Sequence, residues 1–345
     1  MTTPYDLLET GAIINGRAQV IGKFDNGSPE WHAARRGHVG GSEISAIVGL
    51  SPFESRFSLW HRKKGELEDV EETPAMEWGT RLEPVVYQKY SESLEEDEFI
   101  TTGHTFRCLI PGRGWINANP DGIVWAQTED GEWYIRRVLE IKTSARGEGY
   151  GPNGSDGIPI YYRCQVLFYM YCLGVKQADL AALISGVDYR TYKVNYSTED
   201  VEFLMNAGDK FMHELNNNIL PDISKDSATY EAVRQINPEL DPDLEVVVPT
   251  QLGEFYRSVE EAYREIKDLR SGLHAEILDH VGPARVVKLE DGEVLARRQM
   301  PGRGDKPYLR YVPAKKPEQV SVMDAYEKEQ DRQERLAAMY APASV

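Results

Sequence analysis

Between residues 105 and 195, short runs of apolar and polar residues alternate at a period of two, interrupted by segments where apolar residues recur at intervals of three and four. Alternation places successive side chains on opposite faces of a strand, and the longer spacing marks one face of a helix. The pattern predicts strands over 105–109, 123–127, 134–142, 180–185 and 191–195, and helices over 57–64, 75–91, 161–172 and 199–220. In the helix over 75–91, Trp78, Leu82, Val86 and Tyr90 share a face, and Pro84 opens or kinks its second half. Gly40-Gly41 reads as a tight loop, with Ser42 and Glu43 placed to cap a short helix over 44–48. Residues 1–30 read as an N-terminal arm with Gly-rich turns, and 66–72 as an acidic, solvated loop.

The pattern changes after Pro221, so two domains are expected, 1–222 and 223–345. Residues 223–247 are acidic and interrupted by prolines, as in a linker or lid. A long helix over 251–281 carries Phe255, Val259, Ala262, Ile266, Leu269, Leu273 and Ile277 in a near-heptad stripe. Asp291-Gly292 between two apolar runs signals a β-hairpin. The charged tail from Ala325 is expected to fray or to dock on a partner.

The chain has 345 residues and a net charge of -17, which argues against coating nucleic acid or anionic membranes non-specifically. It leaves room for a local basic groove. Arg297, Arg298, Arg303, Lys306 and Arg310 form the one cationic cluster, and a DNA-contacting role is expected of it. Cys108, Cys164 and Cys172 are odd in number and lack a C-x-x-C pair, which disfavours a disulfide scaffold or a cysteine metal site. No secretory signal and no membrane-length apolar run is visible, so a soluble, cytoplasmic protein without membrane contact is expected.

The chemistry concentrates in two segments, Asn119-Pro120-Asp121-Gly122 and Leu139-Glu140-Ile141-Lys142. Glu140 and Lys142 would project from one strand face while Leu139 and Ile141 supply the buried one. A charged pair on such a strand serves a metal, a substrate or a partner, unless the face is simply solvated. Asp121 and Glu140, with the Ile141 carbonyl between them, are oxygen donors suited to Mg²⁺ or Mn²⁺. Lys142 would orient an attacking water or stabilise charge on a phosphate. The seven histidines lack zinc-ligand spacing, and neither a serine-hydrolase elbow nor a nucleotide phosphate loop is present.

These segments resemble the PD-(D/E)xK nuclease signature. Trp31-His32-x-x-Arg35-x-Gly37, Gly40-Gly41-Ser42-Glu43, Trp78-Gly79-x-x-Leu82-Glu83-Pro84 and Tyr162-x-x-Gln165-Val166 accompany them. That ordered series is similar to the YqaJ-type viral recombinases, the family of bacteriophage lambda exonuclease, over roughly residues 31–195. The resemblance implies an α/β fold with a restriction-endonuclease-like core, a central mixed sheet of about five strands flanked by helices, and a helical C-terminal extension with a hairpin. It implies that Asp121, Glu140 and Glu83 bind the metal with the Ile141 carbonyl, that Lys142 is catalytic, and that Gln165 sits near the water or scissile phosphate. Arg35 and Ser42 fall where the family grips a 5′-phosphate, with N–H groups around Gly40–Ser42 completing an anion site; Ser144 is a weaker candidate. The implied activity is Mg²⁺-dependent 5′-to-3′ digestion of duplex DNA ends in phage-type recombination, with Mn²⁺ able to substitute. A single-strand annealing protein and a homo-oligomer, a trimer in the best-known member, are the implied partners. Two alternatives stay open: a related nuclease of other polarity or endonucleolytic action, and a catalytically silent DNA-binding or assembly module.

Overall fold

The computed structural model describes residues 3–24, 27–68, 70, 72–302, 304–313 and 320–340. The chain forms two compact units, Met1–Glu239 with Glu318–Gln330, and Leu240–Pro317 with Asp331–Val345. In chain order the first unit contains β1 (Ile13–Ile14), β2 (Ala18–Lys23), α1 (Pro29–Arg35), β3 (Val39–Gly40), α2 (Ile44–Ile47), α3 (Arg56–Lys64) and α4 (Pro74–Ser91). It continues with β4 (Glu98–Thr102), β5 (His104–Cys108), β6 (Ile116–Ala118), β7 (Gly122–Gln127), β8 (Trp133–Ser144), α5 (Ile160–Leu173), β9 (Gln177–Ile184), β10 (Asp188–Asn195), α6 (Thr198–Asn216) and α7 (Ser227–Ile236).

The expected α/β architecture is present. Its central sheet runs β10-β9-β8-β7-β4 and is mixed, because β8 and β9 are parallel while the other pairs are antiparallel. A second five-stranded sheet, β1-β2-β5-β6-β3, accompanies it. Residues 1–30, read from sequence as an arm, supply two of its strands. The correction lies in the weak alternation of Ala18 to Lys23, where only Ala18, Val20 and Gly22 point inward.

Helix α5 is apolar almost all round, and such a helix must be covered on every side. It contacts β5 and β6 of one sheet and β8 and β9 of the other, and Cys164, Val166, Leu167, Phe168 and Met170 are fully buried. Cys108, Cys164 and Cys172 are buried free thiols, as expected. Helix α4 covers the opposite face of β8 and β9 with Val86 and Tyr90, in an apolar cluster with Leu139 and Ile141. The expected stripe on α4 stops short: Trp78 is 60% exposed, while Val86 and Tyr90 are buried.

Two C-terminal expectations are revised. The stretch 223–247 contains α7, capped by Asp226 on the Thr229 N–H at 2.7 Å and tied to α3 by the Thr229–Ser55 hydroxyl contact, also 2.7 Å. The tail begins with the last helix of the chain, Val322–Tyr340, whose first turns dock on α6 of the same unit. There Asp200 accepts from Val322 N at 2.8 Å, placing a carboxylate at a helix N-terminus, and Tyr326 packs on Phe203.

In the second unit, α8 (Thr250–Val281) is followed by β11 (Val286–Lys288), β12 (Val294–Gln299) and β13 (Tyr308–Tyr311). The Val322–Tyr340 helix, α9, starts in the first unit. The predicted hairpin is β11–β12, and β13 extends it into a three-stranded sheet. Val287, Ala296 and Leu309 form its small core against Ile277, Leu278 and Val281 of α8. Arg303 lies outside the described residues. Among the described residues no helix is long and apolar enough to cross a membrane.

Candidate active site

The site begins with a strand register. Gly122, the first residue of β7, lies opposite Leu139, and a Cβ there would stand 3.3 Å from the Leu139 Cβ and 3.1 Å from Ile100 Cδ1. Glycine therefore lets β7 close on β8. The preceding Asp121 then reaches the Ile141 N–H, which donates to its Oδ2 at 2.6 Å.

Along β8, Glu140 and Lys142 face α5, and Leu139 and Ile141 face α4. Both faces of this strand are covered, so the charged face is not solvated. Glu140 is 1% exposed. Its Oε1 lies 2.5 Å from the Lys142 ammonium and accepts from Gln165 Nε2 at 2.6 Å. Gln165 also donates to the Tyr169 hydroxyl at 2.9 Å. Lys142 lies 4.9 Å from the centre of the Tyr162 ring. Tyr162, Gln165 and Tyr169 are three and four residues apart on α5, one helix face turned to the charged face of β8. Tyr169 went unnoticed in the sequence because its spacing is hidden in an otherwise apolar helix.

Burial and neighbouring charge together set the protonation of the group. Burial pushes Glu140 up to about 8, with the Asp121 charge adding and Lys142 opposing. Asp121 is also raised by burial, against the pull of Lys142 and the Ile141 N–H. For Lys142, burial works against the charged form, but Glu140 and Asp121 more than offset it and hold the ammonium well above its ordinary value. Glu83 comes from α4, on the other side of the sheet. The residue is largely accessible, yet partial burial of its carboxyl first and the Asp121 charge second raise it to about 7, with Lys142 opposing. Among the described residues no hydrogen bond or ion pair joins it to the other three.

Asp121 and Glu140 beside one ammonium, with the Glu83 charge acting on Glu140, leave negative charge that a cation would neutralise. Glu140 Oε2 is buried with no hydrogen-bond partner, which is an oxygen left over for a ligand. The donors are all oxygens, so in type and charge they fit a hard divalent ion. Among the described residues no group of three or more His, Cys, Asp or Glu side chains is arranged to hold a metal ion. Asp121 is held by Ile141 N and Glu140 by Lys142 and Gln165 instead.

Arg35 and Ser42 make no direct contact with this group among the described residues. Ser42 is exposed and does not cap α2, and Glu43, at the cap position, makes no cap hydrogen bond. Glu43 turns back instead and accepts from Gly40 N at 2.7 Å, so that N–H is not free for an anion as the sequence suggested. It also pairs with Arg35 at 3.1 Å and with Lys63 at 2.8 Å. Two cations thus share one carboxylate, and Arg35 stacks 4.3 Å from the Trp31 ring centre. Ser144 accepts from Gly147 N at 3.0 Å and closes the turn after β8.

Gly41 links the two regions. A Cβ there would lie 2.4 Å from Tyr169 Cε1, so the loop after β3 rests directly on the ring whose hydroxyl holds Gln165.

Glu43 gives an acid-stability prediction. Burial would raise its carboxyl, but Arg35, Lys63 and the Gly40 N–H together hold it at about 2, below its ordinary 4.5. A depressed carboxyl contributes stability above the unfolded value and loses it as pH falls through the folded value. The expected loss between pH 4.5 and 2 is about 3 kcal/mol. Denaturant unfolding of wild type and Glu43→Gln across this range checks it: the gap between the curves should be constant above pH 4.5 and shrink below. A constant gap down to pH 2 would refute it.

Residues 30–176 match the model of the YqaJ-like viral recombinase domain. The chain is 27% identical over 207 residues to the uncharacterized protein YqaJ of Bacillus subtilis, a match covering 57% of this chain and 60% of that relative's length. Among solved structures it is similar to an alkaline exonuclease from Laribacter hongkongensis (20% identity, 56% of this chain and 94% of that one, TM-score 0.42). It is also similar to a phage-related exonuclease from Haemophilus somnus (11% identity, 53% and 96%, TM-score 0.34).

Proposed function

We propose, from the premise that residues 30–176 form a YqaJ-like viral recombinase domain, that this chain is a metal-dependent exonuclease. It would degrade one strand of duplex DNA from the 5′ end and leave 3′ single-stranded tails for recombination. The observation that carries this reading is the buried Glu140, with one oxygen on Lys142 and Gln165 and the other left without a partner, beside Asp121.

Asp121 and Glu140, with Glu83 and the Ile141 carbonyl, would hold Mg²⁺, with Mn²⁺ able to substitute. A bound ion of this kind polarises a phosphodiester and acidifies an attacking water. The protein's own residues do the rest. Lys142 keeps its charge, so it can stabilise the charge that develops on the scissile phosphate. Gln165, anchored by Tyr169, fixes the Glu140 carboxylate. Arg35 and Ser42 would receive a terminal 5′-phosphate, with Lys63 sharing the Glu43 counter-charge so that a net positive charge remains there. A homo-oligomer, a trimer included, and a single-strand annealing partner belong to the same proposal.

The test is digestion of linear duplexes labelled at either end, set beside closed circles, with Mg²⁺ and with EDTA. Release from 5′-phosphorylated ends, intact circles and full inhibition by EDTA are expected. Nicked circles would replace the exonuclease with an endonuclease, and release from 3′ ends would reverse the polarity. No cleavage with either Mg²⁺ or Mn²⁺ would leave a silent DNA-binding module.

A further inference from the structure

The three-stranded sheet of the second unit carries arginines that pair with no carboxylate among the described residues. Strand β12 lies between β11 and β13, and its register sets Arg297 directly opposite Arg310. Like charges opposed across antiparallel strands destabilise the pair, a cost that a bound anion removes. The next residue, Arg298, turns to the other face, where its Nη1 donates to the Gly282 carbonyl. Its Nε is buried without a partner. The Arg298 N–H donates to the Arg285 carbonyl at 2.9 Å, which brings Arg285 alongside. Arg285, Arg297 and Arg298, with Gln299 and Met300, line a cleft of about 400 Å³.

Among the described residues, none of Arg285, Arg297, Arg298 and Arg310 takes part in an ion pair. In a chain with 56 acidic and 39 basic residues carboxylates are in excess, yet these four arginines gather at one small sheet without pairing to one among the described residues. The sequence reading gathered Arg297, Arg298 and Arg310 but left out Arg285, which the chain reverses to reach.

We propose that this cleft and the arginine pair beside it form a seat for the phosphodiester backbone of DNA, outside the YqaJ-like domain. The proposal rests on the nuclease reading only for the choice of DNA as the polyanion. A guanidinium meets phosphate oxygens through two parallel N–H donors, and an arginine array presents several such forks along a backbone. Contacts of this kind position a duplex without reading its sequence.

The experiment measures binding of the full chain to a fluorescent duplex by anisotropy, without divalent cation, across a range of NaCl concentrations. The double variant Arg297→Ala/Arg310→Ala is expected to bind about tenfold more weakly and to lower the salt slope by about two, one per lost phosphate contact. Arg297→Gln/Arg310→Gln, with a thermal melt, guards against a folding defect and should behave alike. Arg257→Ala/Arg264→Ala on α8 removes the same charge elsewhere and should bind as wild type does. Unchanged affinity and slope in the sheet variants would overturn the proposal, as would an equal loss in the α8 control. Release of DNA from wild type by low-millimolar inorganic phosphate at constant ionic strength would also overturn it, in favour of a small-anion pocket. Since no divalent cation is present, the outcome is independent of cleavage: a protein that fails to digest DNA with Mg²⁺ refutes the nuclease and leaves this binding result standing.

Discussion

Lys142→Ala is expected to lower the rate of DNA cleavage by about three orders of magnitude, the scale of losing a positioned charge or proton donor at a reacting phosphate. Duplex affinity should change little, because one ammonium beneath a helix contributes little to backbone binding. Single-turnover digestion and binding in Ca²⁺ separate the two quantities. Cleavage at the wild-type rate would remove Lys142 from the chemistry. The change also breaks a buried ion pair, which typically costs about 3–5 kcal/mol when the partner charge stays behind. Glu140 has an exit, since burial already raises its carboxyl and removing Lys142 takes away the charge that opposes that rise, which favours uptake of a proton. The loss of stability should therefore fall below that range, and a thermal melt would show the variant folded at assay temperature.

Gly41→Ala has the second largest expected effect, although the residue carries no functional group. A methyl group cannot fit 2.4 Å from the Tyr169 ring, and that ring is packed in the core, so loop or ring must move. Overpacking of this kind costs about 1–3 kcal/mol. Moving the ring shifts the hydroxyl that fixes Gln165, and through it the Glu140 carboxylate. Cleavage should fall about tenfold or more, since displacements near 1 Å are costly in an organised site. Tyr169→Phe isolates the second half of the chain by removing only the hydroxyl. It should lower kcat with KM nearly unchanged and without the stability loss. If Gly41→Ala melts early yet cleaves at full rate, the loop and the carboxylate are uncoupled.

Much of the fold was legible because strand and helix periods are local. The period-two run ending at Lys142 and the apolar helix around Gln165 both appear where the pattern places them. The segment read as an N-terminal arm was less legible, because β1 is two residues long and pairs only with β2, and β2 is held by pairing with β5, more than eighty residues on. The cap assigned to Ser42 and Glu43 failed for a related reason. A local capping rule competes with long-range charge, and Lys63, twenty residues away, draws Glu43 off the helix terminus.

By itself, then, the sequence determined which groups are available: an Asp next to a Gly that can start a strand close to its neighbour, and a Glu and Lys that must share a face because strand geometry gives them no choice. It also set the excess of acid that makes a local arginine cluster conspicuous. Tertiary structure alone decided that α5 would cover the Glu140 face, and burial there is what raises that carboxyl and leaves one of its oxygens unpaired. It decided too that Tyr169 would rest on Gly41, and that Arg297 would stand against Arg310. Those are contacts between residues far apart in the chain, and no local pattern encodes a distance that only packing sets.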